Sequence, residues 1–252
     1  MTKLVILGAG NVATHLFQAF FEAENCVVVQ VYNRSESPLE AFSEKTSTTT
    51  SLKNLEEADM YLICTKDDAV EYLAQEISNK NKLVAHTSGS LPLLDVSKKN
   101  GVFYPLQTFS KEVPVNFSEI PICLEASDRN SLNLLRNLAE NISRKTYPIS
   151  TEQRKALHLA AVFACNFTNH LYAVAEEICA ENKVSFEILH ALISETARKA
   201  TVTSPEKIQT GPAVRNDVKT IKRHLEQLEN PNFKEIYTLL TESIQKKHGT
   251  KL

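Results

Sequence analysis

The hydrophobic pattern of the first 150 residues alternates between two kinds of segment. Short continuous runs of branched apolar residues are typical of strands buried on both faces of a sheet, and between them apolar residues recur at helical spacing. The predicted strands are residues 4–7, 26–31, 60–64, 82–86, 120–125 and 143–148, and the predicted helices include residues 38–45, 69–77 and 128–141. This alternation predicts a doubly wound, mostly parallel α/β sheet.

The pattern changes at residue 151, after which only helices are predicted. They cover residues 151–181, 185–199, 213–229 and 233–247, with prolines at the breaks. Because no linker rich in proline or glycine separates the two patterns, we predict two directly packed domains, residues 1–150 and an all-α domain of residues 151–252. Residues 157–164 are apolar on nearly all sides of their helix, which is typical of a buried helix at a subunit interface, so we expect a homodimer.

A glycine-rich segment follows the first predicted strand without a gap. Its sequence, Gly8-Ala9-Gly10-Asn11-Val12-Ala13, has the spacing G-x-G-x-x-G/A and leads into a predicted helix. Gly8 permits a tight turn, Gly10 leaves room for a pyrophosphate beside the backbone, and Ala13 lets the helix pack close to the sheet. The free N–H groups at the helix start then face the anion. We predict that residues 8–12 bind a dinucleotide; the alternative is a turn that binds nothing.

The residues after the second predicted strand indicate which dinucleotide binds. An NAD enzyme carries an acidic residue there for the ribose 2′-hydroxyl, whereas this chain has Asn33, Arg34 and Ser35. A carboxylate would repel a 2′-phosphate, and an arginine with neutral hydrogen-bonding neighbours would hold it through charge-assisted bonds. These residues therefore favour NADP as the cofactor. The alternative is that Arg34 is an ordinary exposed loop arginine.

Two further loops follow the third and fourth predicted strands. Ligands of open α/β sheets bind beyond the carboxyl ends of the strands, so Thr65 and Lys66 are expected to border the cofactor. The next loop has the sequence His-Thr-Ser-Gly-Ser at residues 86–90. Its small hydroxyl residues, Ser88 among them, and its glycine would orient a nicotinamide ring or hold a substrate oxygen. A capped turn before Pro92 is the alternative.

A polar stripe is predicted on the first helix of the second half. At 3.6 residues per turn, Arg154, His158, Cys165, Asn169 and Tyr172 lie within about a sixth of a turn of one another, with Asn166 at the edge. Buried without partners, such groups cost about 1–3 kcal/mol each, so the stripe needs partners or a function. His158 is the predicted proton donor, because imidazole titrates near neutrality, and Asn166 and Asn169 would surround the substrate. The alternative is that these side chains are hydrogen-bonded within the core.

The last candidate is Arg215, close to the predicted start of the third helix of the second half. An arginine at that position would anchor a substrate carboxylate or phosphate. It would alternatively pair with Asp217 or with an acid of the other domain. The histidines of the second half lack any recognised metal-ligand spacing, so no metal site is predicted.

Composition narrows the classes of partner. The 252 residues are 42% hydrophobic and 23% charged with a formal net charge of −2, so no basic field draws the chain to nucleic acid or an anionic membrane. No apolar run reaches membrane-spanning length, and the first residues run directly into a strand instead of a signal peptide. Five scattered cysteines without a C-x-x-C motif indicate reduced thiols, so we expect a cytoplasmic protein.

Six motifs together resemble one family of proteins. They are L-V-I-L-G-A-G-N-V-A, V-Y-N-R-S, I-C-T-K-D-D-A, H-T-S-G-S, Y-P-L-Q-T-F and T-G-P-A-V-R-N-D. The chain resembles the two-domain, Rossmann-like NADP oxidoreductases whose C-terminal helical domain is of unknown function. More distantly it is similar to pyrroline-5-carboxylate reductases, ketopantoate reductases and 3-hydroxyacid dehydrogenases of the 6-phosphogluconate dehydrogenase type. The resemblance implies that NAD(P)H binds the first domain and that the helical domain closes the active site, commonly in a dimer.

The resemblance transfers the glycine-rich loop and the loop of residues 33–35, but no catalytic residue. The hydroxyacid dehydrogenases place a lysine and an asparagine one turn apart on the helix between the domains. This chain has Arg154 and His158 in that relation, so a shared mechanism does not follow. The sequence therefore predicts a reductase that moves hydride between NADPH and a C=O or C=N group of a small metabolite. A non-catalytic NADP-binding sensor, or a helical half that serves only dimerisation, are the alternatives.

Overall fold

Eight strands form one sheet in the computed structural model, which describes residues 1–111 and 113–248. The strands are β1 (Thr2–Leu7), β2 (Cys26–Tyr32), β3 (Ser47–Thr49), β4 (Met60–Ile63), β5 (Leu83–His86), β6 (Asn100–Pro105), β7 (Ile122–Ala126) and β8 (Thr146–Pro148). Their spatial order is β3-β2-β1-β4-β5-β6-β7-β8. Every neighbouring pair is parallel except β6 and β7, which confirms the predicted mostly parallel α/β sheet.

Most helices fall in the predicted places with some differences in their bounds, but the short helix Pro205–Ile208 was predicted as a break. They are α1 (Asn11–Phe21), α2 (Glu40–Ser43), α3 (Asp67–Ile77), α4 (Arg129–Glu140), α5 (Thr151–Ala161), α6 (Thr168–Glu181), α7 (His190–Val202), α8 (Pro205–Ile208), α9 (Val218–Gln227) and α10 (Pro231–His248). Short 3₁₀ turns occur at Ser37–Leu39, Leu52–Asn54, Ser78–Lys80, Phe117–Glu119 and Phe186–Leu189. The sequence pattern did not predict β6, whose six residues include a glycine and a terminal proline.

The order of the strands opens a crevice between β1 and β4. The chain runs from β1 outward through β2 to β3 and then returns to β4 on the other side of β1. Loops that leave the carboxyl ends of such neighbouring strands diverge to opposite faces of the sheet, and ligands bind in the crevice between them. The topology therefore places the candidate site beyond the ends of these two central strands.

Strand β1 lies at the centre of the core. Leu4 and Ile6 pack into the apolar cluster on one face of the sheet, and Val5 and Leu7 pack into the cluster on the other face. All four side chains have no exposed surface, as predicted for a strand buried on both faces. Burying each contributes about 1.5–3 kcal/mol, which fixes the strand that carries the glycine-rich loop.

The chain divides into two compact units, one of residues 1–166 and one that begins at Phe167. The predicted helix over residues 151–181 is present, but its middle part, Val162–Phe167, is a π-helix. Since hydrogen bonds in a π-helix run from residue i to i+5, the period of 3.6 residues does not hold through this segment. The predicted polar stripe therefore does not continue as one face beyond α5.

In the second unit, α9 begins five residues later than predicted. The residues before it form a turn in which Asn216 has a positive φ of 50°. Asp217 caps the helix by accepting a hydrogen bond from the Thr220 N–H at 3.1 Å. Helices α9 and α10 are joined by a hydrogen bond of 2.8 Å between His224 Nδ1 and the Tyr237 hydroxyl. Among the described residues, no helix has the length and apolar character needed to cross a membrane.

Candidate functional site

Gly8 brings the end of β1 against the end of β4. Its φ of +123° favours glycine, and a Cβ there would lie 2.4 Å from the Cys64 carbonyl oxygen. The Gly8 N–H donates a hydrogen bond of 2.7 Å to the Tyr32 carbonyl at the end of β2. No other residue would fit this position without moving one of the three strand ends.

Gly10 has a different role from that of Gly8. It is the N-cap residue of α1, in an extended conformation that any residue can adopt, and a Cβ there would have no heavy atom within 4 Å. The space beside this backbone is therefore open, as a pyrophosphate would need. Ala13, one turn into the helix, is completely buried, as predicted for close packing of the helix on the sheet.

A cleft of about 840 Å³ lies in front of the glycine-rich loop. The residues that line it come from the ends of β1, β2, β4 and β5, from the start of α1 and from α3. They are Gly8, Ala9, Gly10, Asn11, Val12, Tyr32, Asn33, Arg34, Cys64, Thr65, Lys66, Asp68, Ala69, Tyr72, Leu73 and Thr87. Nine of the ten residues predicted to contact the cofactor are therefore brought together in one cleft.

Ser35 is the one predicted cofactor residue that does not line this cleft. The side-chain amide of Asn33 donates to its carbonyl oxygen at 2.9 Å and lies 3.2 Å from its hydroxyl oxygen. These bonds fold the loop back on itself after β2 and leave the Arg34 side chain exposed at the cleft. A cation at this point is free to meet an anionic ligand.

The sequence prediction missed one wall of the cleft, which α3 supplies. Asp68, Ala69, Tyr72 and Leu73 all line it, and their spacing of i, i+1, i+4 and i+5 is that of one helix face. Tyr72 is 58% exposed although it is a large aromatic residue. In the sequence, the apolar residues Ala69 and Leu73 are four positions apart, and the polar Asp68 precedes them. This pattern was the available signal for a helix face that covers a ligand.

The loop after β5 is a tightly bonded turn built around Ser88. The Ser88 hydroxyl accepts hydrogen bonds from the Ser90 and Leu91 N–H groups, both at 3.1 Å. The Ser90 hydroxyl donates to the Asp67 carboxylate at the start of α3. Of the two roles predicted for Ser88, the capped turn before Pro92 is therefore the one with contacts in the structure. A contact between Ser88 and substrate stays a prediction.

His86 supports the same turn from inside the protein. Its Nδ1 accepts a hydrogen bond of 3.2 Å from the Ser88 N–H, and its Nε2 donates to the Pro92 carbonyl at 3.1 Å. Burial lowers the pKa of His86 to about 4, so the ring is neutral at physiological pH. The neutral ring, with its hydrogen on Nε2, satisfies both bonds.

Arg154 is completely buried and fastens α5 to this turn. Its guanidinium donates to the Ser88 carbonyl at 3.0 Å and the Leu91 carbonyl at 2.6 Å. A third bond, 2.8 Å long, pairs it with the carboxylate of Glu125 on β7. The sequence prediction placed Arg154 in the polar stripe; the structure shows that its guanidinium is used for these internal contacts.

Glu125 also fixes the start of α5. The Thr151 N–H and hydroxyl donate to its Oε1 at 2.9 and 2.8 Å. Ser150 and Gln153 complete a capping box at the same helix end. The first turn of α5 is therefore held at the end of β7, and the side chains of the next turn are directed by that attachment.

His158 lies one helical turn after Arg154 on α5, and it packs against the same loop after β5, at Gly89. Its Nδ1 is 3.0 Å from the hydroxyl of Tyr104 on β6, and the two rings meet at 72°. A Cβ at Gly89 would lie 2.6 Å from this Nδ1 and 2.8 Å from the Tyr104 ring. A Cβ at Gly89 would therefore displace the His158 and Tyr104 rings, which pack directly against its backbone. The sequence prediction included the glycine of this loop among the residues for a nicotinamide ring or a substrate oxygen, but it assigned no role to Tyr104.

Three predicted residues remain, one at the end of the first unit and two in the second unit. Asn166 is exposed in the π-helix at the end of the first unit. Asn169 and Arg215 are exposed residues of the second unit, and Arg215 precedes α9 instead of lying within it. Their predicted roles around a substrate stay predictions. In the described part of the chain, no group of three or more His, Cys, Asp or Glu side chains is placed to hold a metal ion.

Two family descriptions match the sequence. Residues 3–88 match the family described as NADP oxidoreductase coenzyme F420-dependent, and residues 120–244 match a domain of unknown function, DUF2520. The first match contains the glycine-rich loop and the loop of Arg34, and the second contains α5 to α9 and most of α10. No match was found among curated protein sequences.

Solved structures resemble the chain over nearly its whole length. A putative NADP oxidoreductase from Bacteroides fragilis is 41% identical, with a TM-score of 0.90 over 97% of this chain and 98% of that one. A protein from Thermotoga maritima is 20% identical with a TM-score of 0.72, over 98% and 99% of the two chains. An imine reductase from Myxococcus stipitatus in complex with NADP⁺ is 13% identical with a TM-score of 0.66, over 98% and 96%. The last two likenesses concern the fold alone.

Proposed function

Because this chain belongs to the family of two-domain NADP oxidoreductases that end in the DUF2520 domain, we propose that it binds NADPH in the cleft of the first unit and reduces a small metabolite. The reaction is the transfer of hydride between the nicotinamide and a C=O or C=N group. The bound cofactor supplies the hydride, and the protein binds, orients and protonates. The observation that carries the proposal is the cleft itself, where open backbone at Gly10 and the exposed Arg34 lie along one surface.

Residues 8–12 would hold the pyrophosphate. The N–H groups of the first turn of α1 have no partners inside the helix, and the helix dipole favours an anion at this end. Gly10 has no Cβ to keep the anion away from that backbone. Thr65 and Lys66 would border the cofactor from the end of β4.

Arg34 would select NADP over NAD by pairing with the 2′-phosphate. Its side chain is exposed at the cleft and follows β2, where the adenosine ribose of a dinucleotide lies in this fold. Asn33 and Ser35, the two neighbours of Arg34, are neutral and bonded to each other, so neither of them opposes the phosphate. Tyr72, which lines the same cleft from α3, would cover the adenine.

His158 would be the proton donor. Its ring packs against Gly89 in the turn after Thr87, and Thr87 lines the cleft. Arg154 is used internally, so it would act by holding α5 in place. Ser88, Asn166 and Asn169 would surround the substrate, and Arg215 would anchor an anionic substrate group; these assignments rest on the sequence pattern.

The second part of the proposal is a cytoplasmic homodimer. Large apolar side chains stay exposed in the single chain, including Leu159 at 60%, Leu192 at 63% and Leu239 at 67%. Such exposure is typical of protein interfaces. Light scattering is expected to give twice the mass of 28.2 kDa. The five cysteines form no disulfide among the described residues, which suits a reducing compartment.

The test of the reductase proposal is NADPH oxidation in the presence of a panel of small ketones, 2-oxo acids and cyclic imines. We expect at least one class to oxidise NADPH, and we expect His158→Gln to slow that reaction by about 10²-fold or more. The exposed His170→Gln serves as the matched control and should keep wild-type turnover. If NADPH binds tightly while every class fails, the protein is a non-catalytic NADP-binding sensor and the reductase proposal is wrong.

A further inference from the structure

We propose that Tyr104 positions His158 and replaces the proton that His158 donates, an inference that rests on the proposed function. Tyr104 belongs to β6, His158 to α5 and Gly89 to the turn after β5, so three separate elements meet at one point. Tyr104 and His158 are 54 positions apart in the sequence, and their side chains are joined by a hydrogen bond of 3.0 Å.

The ring of His158 packs in a defined position against the backbone of Gly89. Gly89 is buried, and its backbone leaves less room than a Cβ would need, since that atom would lie 2.6 Å from Nδ1 and 2.8 Å from the His158 Cγ. Arg154, one turn earlier, holds the same helix to the Ser88 and Leu91 carbonyls. The backbone of α5 and the position of the His158 ring against Gly89 are therefore both fixed. The hydrogen bond with the Tyr104 hydroxyl then determines how the His158 ring is rotated.

The bond also determines where the hydrogen of the neutral ring lies. Burial raises the pKa of Tyr104 to about 12, so its hydroxyl keeps its proton at physiological pH. Among the described residues, His158 Nδ1 is the hydrogen-bond partner found for this hydroxyl. If the hydroxyl donates, Nδ1 accepts and the ring hydrogen lies on Nε2. In the opposite arrangement the hydroxyl hydrogen would lack an acceptor inside the protein.

This arrangement lets a neutral imidazole act as an acid. As hydride reaches the substrate carbon, the Nε2–H bond breaks and its proton goes to the substrate oxygen or nitrogen. The Tyr104 O–H bond breaks and its proton goes to Nδ1, so the ring stays neutral and only its tautomer changes. The tyrosinate then takes a proton from water. The sum is one hydride from NADPH and one proton from solvent added across the C=O or C=N bond.

The tautomer of His158 tests this inference without any substrate. Nitrogen NMR of ¹⁵N-histidine-labelled protein distinguishes Nε2–H from Nδ1–H, and His158→Gln identifies the signals of that ring. We expect the wild-type ring to be mainly Nε2–H. In Tyr104→Phe, which removes one oxygen atom, we expect the ratio of Nε2–H to Nδ1–H to fall about fivefold. The exposed Tyr147→Phe is the control and should leave the ratio unchanged.

A second variant shows whether a change in the tautomer ratio comes from the position of the ring or from a loss of folding. Gly89→Ala keeps the tyrosine but displaces the ring, so it should lower the ratio as Tyr104→Phe does, while the amide spectrum stays folded. A wild-type ring that is mainly Nδ1–H would overturn the inference, and so would a ratio that changes less than about twofold in Tyr104→Phe. Because the measurement uses the protein without cofactor, such a result would leave the NADPH proposal untouched. A failure of NADPH to bind would not move the tautomer.

Discussion

The guanidinium of Arg154 donates a hydrogen bond of 3.0 Å to the carbonyl of Ser88, 66 residues earlier in the chain. This bond joins the helix that carries His158 to the turn that follows the cleft residue Thr87. The two halves of the candidate site are therefore held in one arrangement by a charged group with no exposed surface.

Arg154→Met is expected to destabilise the protein by about 3–5 kcal/mol, because it leaves the Glu125 carboxylate without its charged partner and two backbone carbonyls without the guanidinium donor. Urea denaturation measures this loss. Arg198→Ala removes an ion pair whose two side chains are 61% and 42% exposed, and it should leave the unfolding midpoint nearly unchanged. Equal effects of the two variants would show that Arg154 is not a structural anchor.

Gly8→Ala and Gly10→Ala are expected to separate folding from cofactor binding. At Gly8 the new Cβ would lie 2.4 Å from the Cys64 carbonyl oxygen at a φ of +123°, so the variant should be destabilised and should lose NADPH binding with it. At Gly10 the new Cβ would meet no atom within 4 Å, so the thermal midpoint should stay at the wild-type value. Calorimetric titration of Gly10→Ala should still show NADPH affinity reduced by about tenfold or more, because the methyl group occupies the place of the pyrophosphate.

The free energy of unfolding is expected to fall as the pH is lowered through the range between the unfolded and folded pKa values of His86. Its pKa is lowered from 6.5 to about 4 in the folded protein by burial, so the unfolded chain binds a proton first as the pH falls. The contribution of His86 to the free energy of unfolding is therefore fully present above about pH 6.5. It decreases by up to about 3 kcal/mol as the pH falls toward 4. Urea denaturation at several pH values measures the slope.

The control for that window is a variant without the titrating ring. His86→Asn should be less stable at neutral pH, but it should lose less stability than the wild type between pH 6.5 and 4. His170→Gln, which changes an exposed histidine, should keep the wild-type slope. If His86→Asn keeps that slope as well, buried His86 is not its source.

The sheet and the glycine-rich loop were predictable because both are encoded in short stretches of sequence. Apolar runs mark the central strands, and the spacing of Gly8, Gly10 and Ala13 reflects three steric requirements that the structure shows separately. The strand β6 was missed since its six residues have no alternating pattern of their own and depend on burial between β5 and β7.

The roles of the polar side chains could not be read in the same way. Arg154 was assigned from the helical period alone, but its partner Glu125 is 29 residues away on another element. Tyr104 and His158 meet only because β6 and α5 are brought together by the fold. The π-helix at Val162–Phe167 then breaks the period on which the stripe through Asn169 depended. Contacts across long sequence separations leave no mark in local periodicity.

The measurement that tests the central claim most directly is calorimetric titration of the protein with NADPH and with NADH, for the wild type, Arg34→Ala and the exposed Arg144→Ala, which does not line the cleft. We expect the wild type to prefer NADPH. Arg34→Ala should weaken NADPH by roughly 1.5–3 kcal/mol and leave NADH nearly unchanged, because one charge-assisted phosphate contact is lost. Arg144→Ala should bind both as the wild type does. Absence of binding by either nucleotide to the folded wild-type protein would contradict the account.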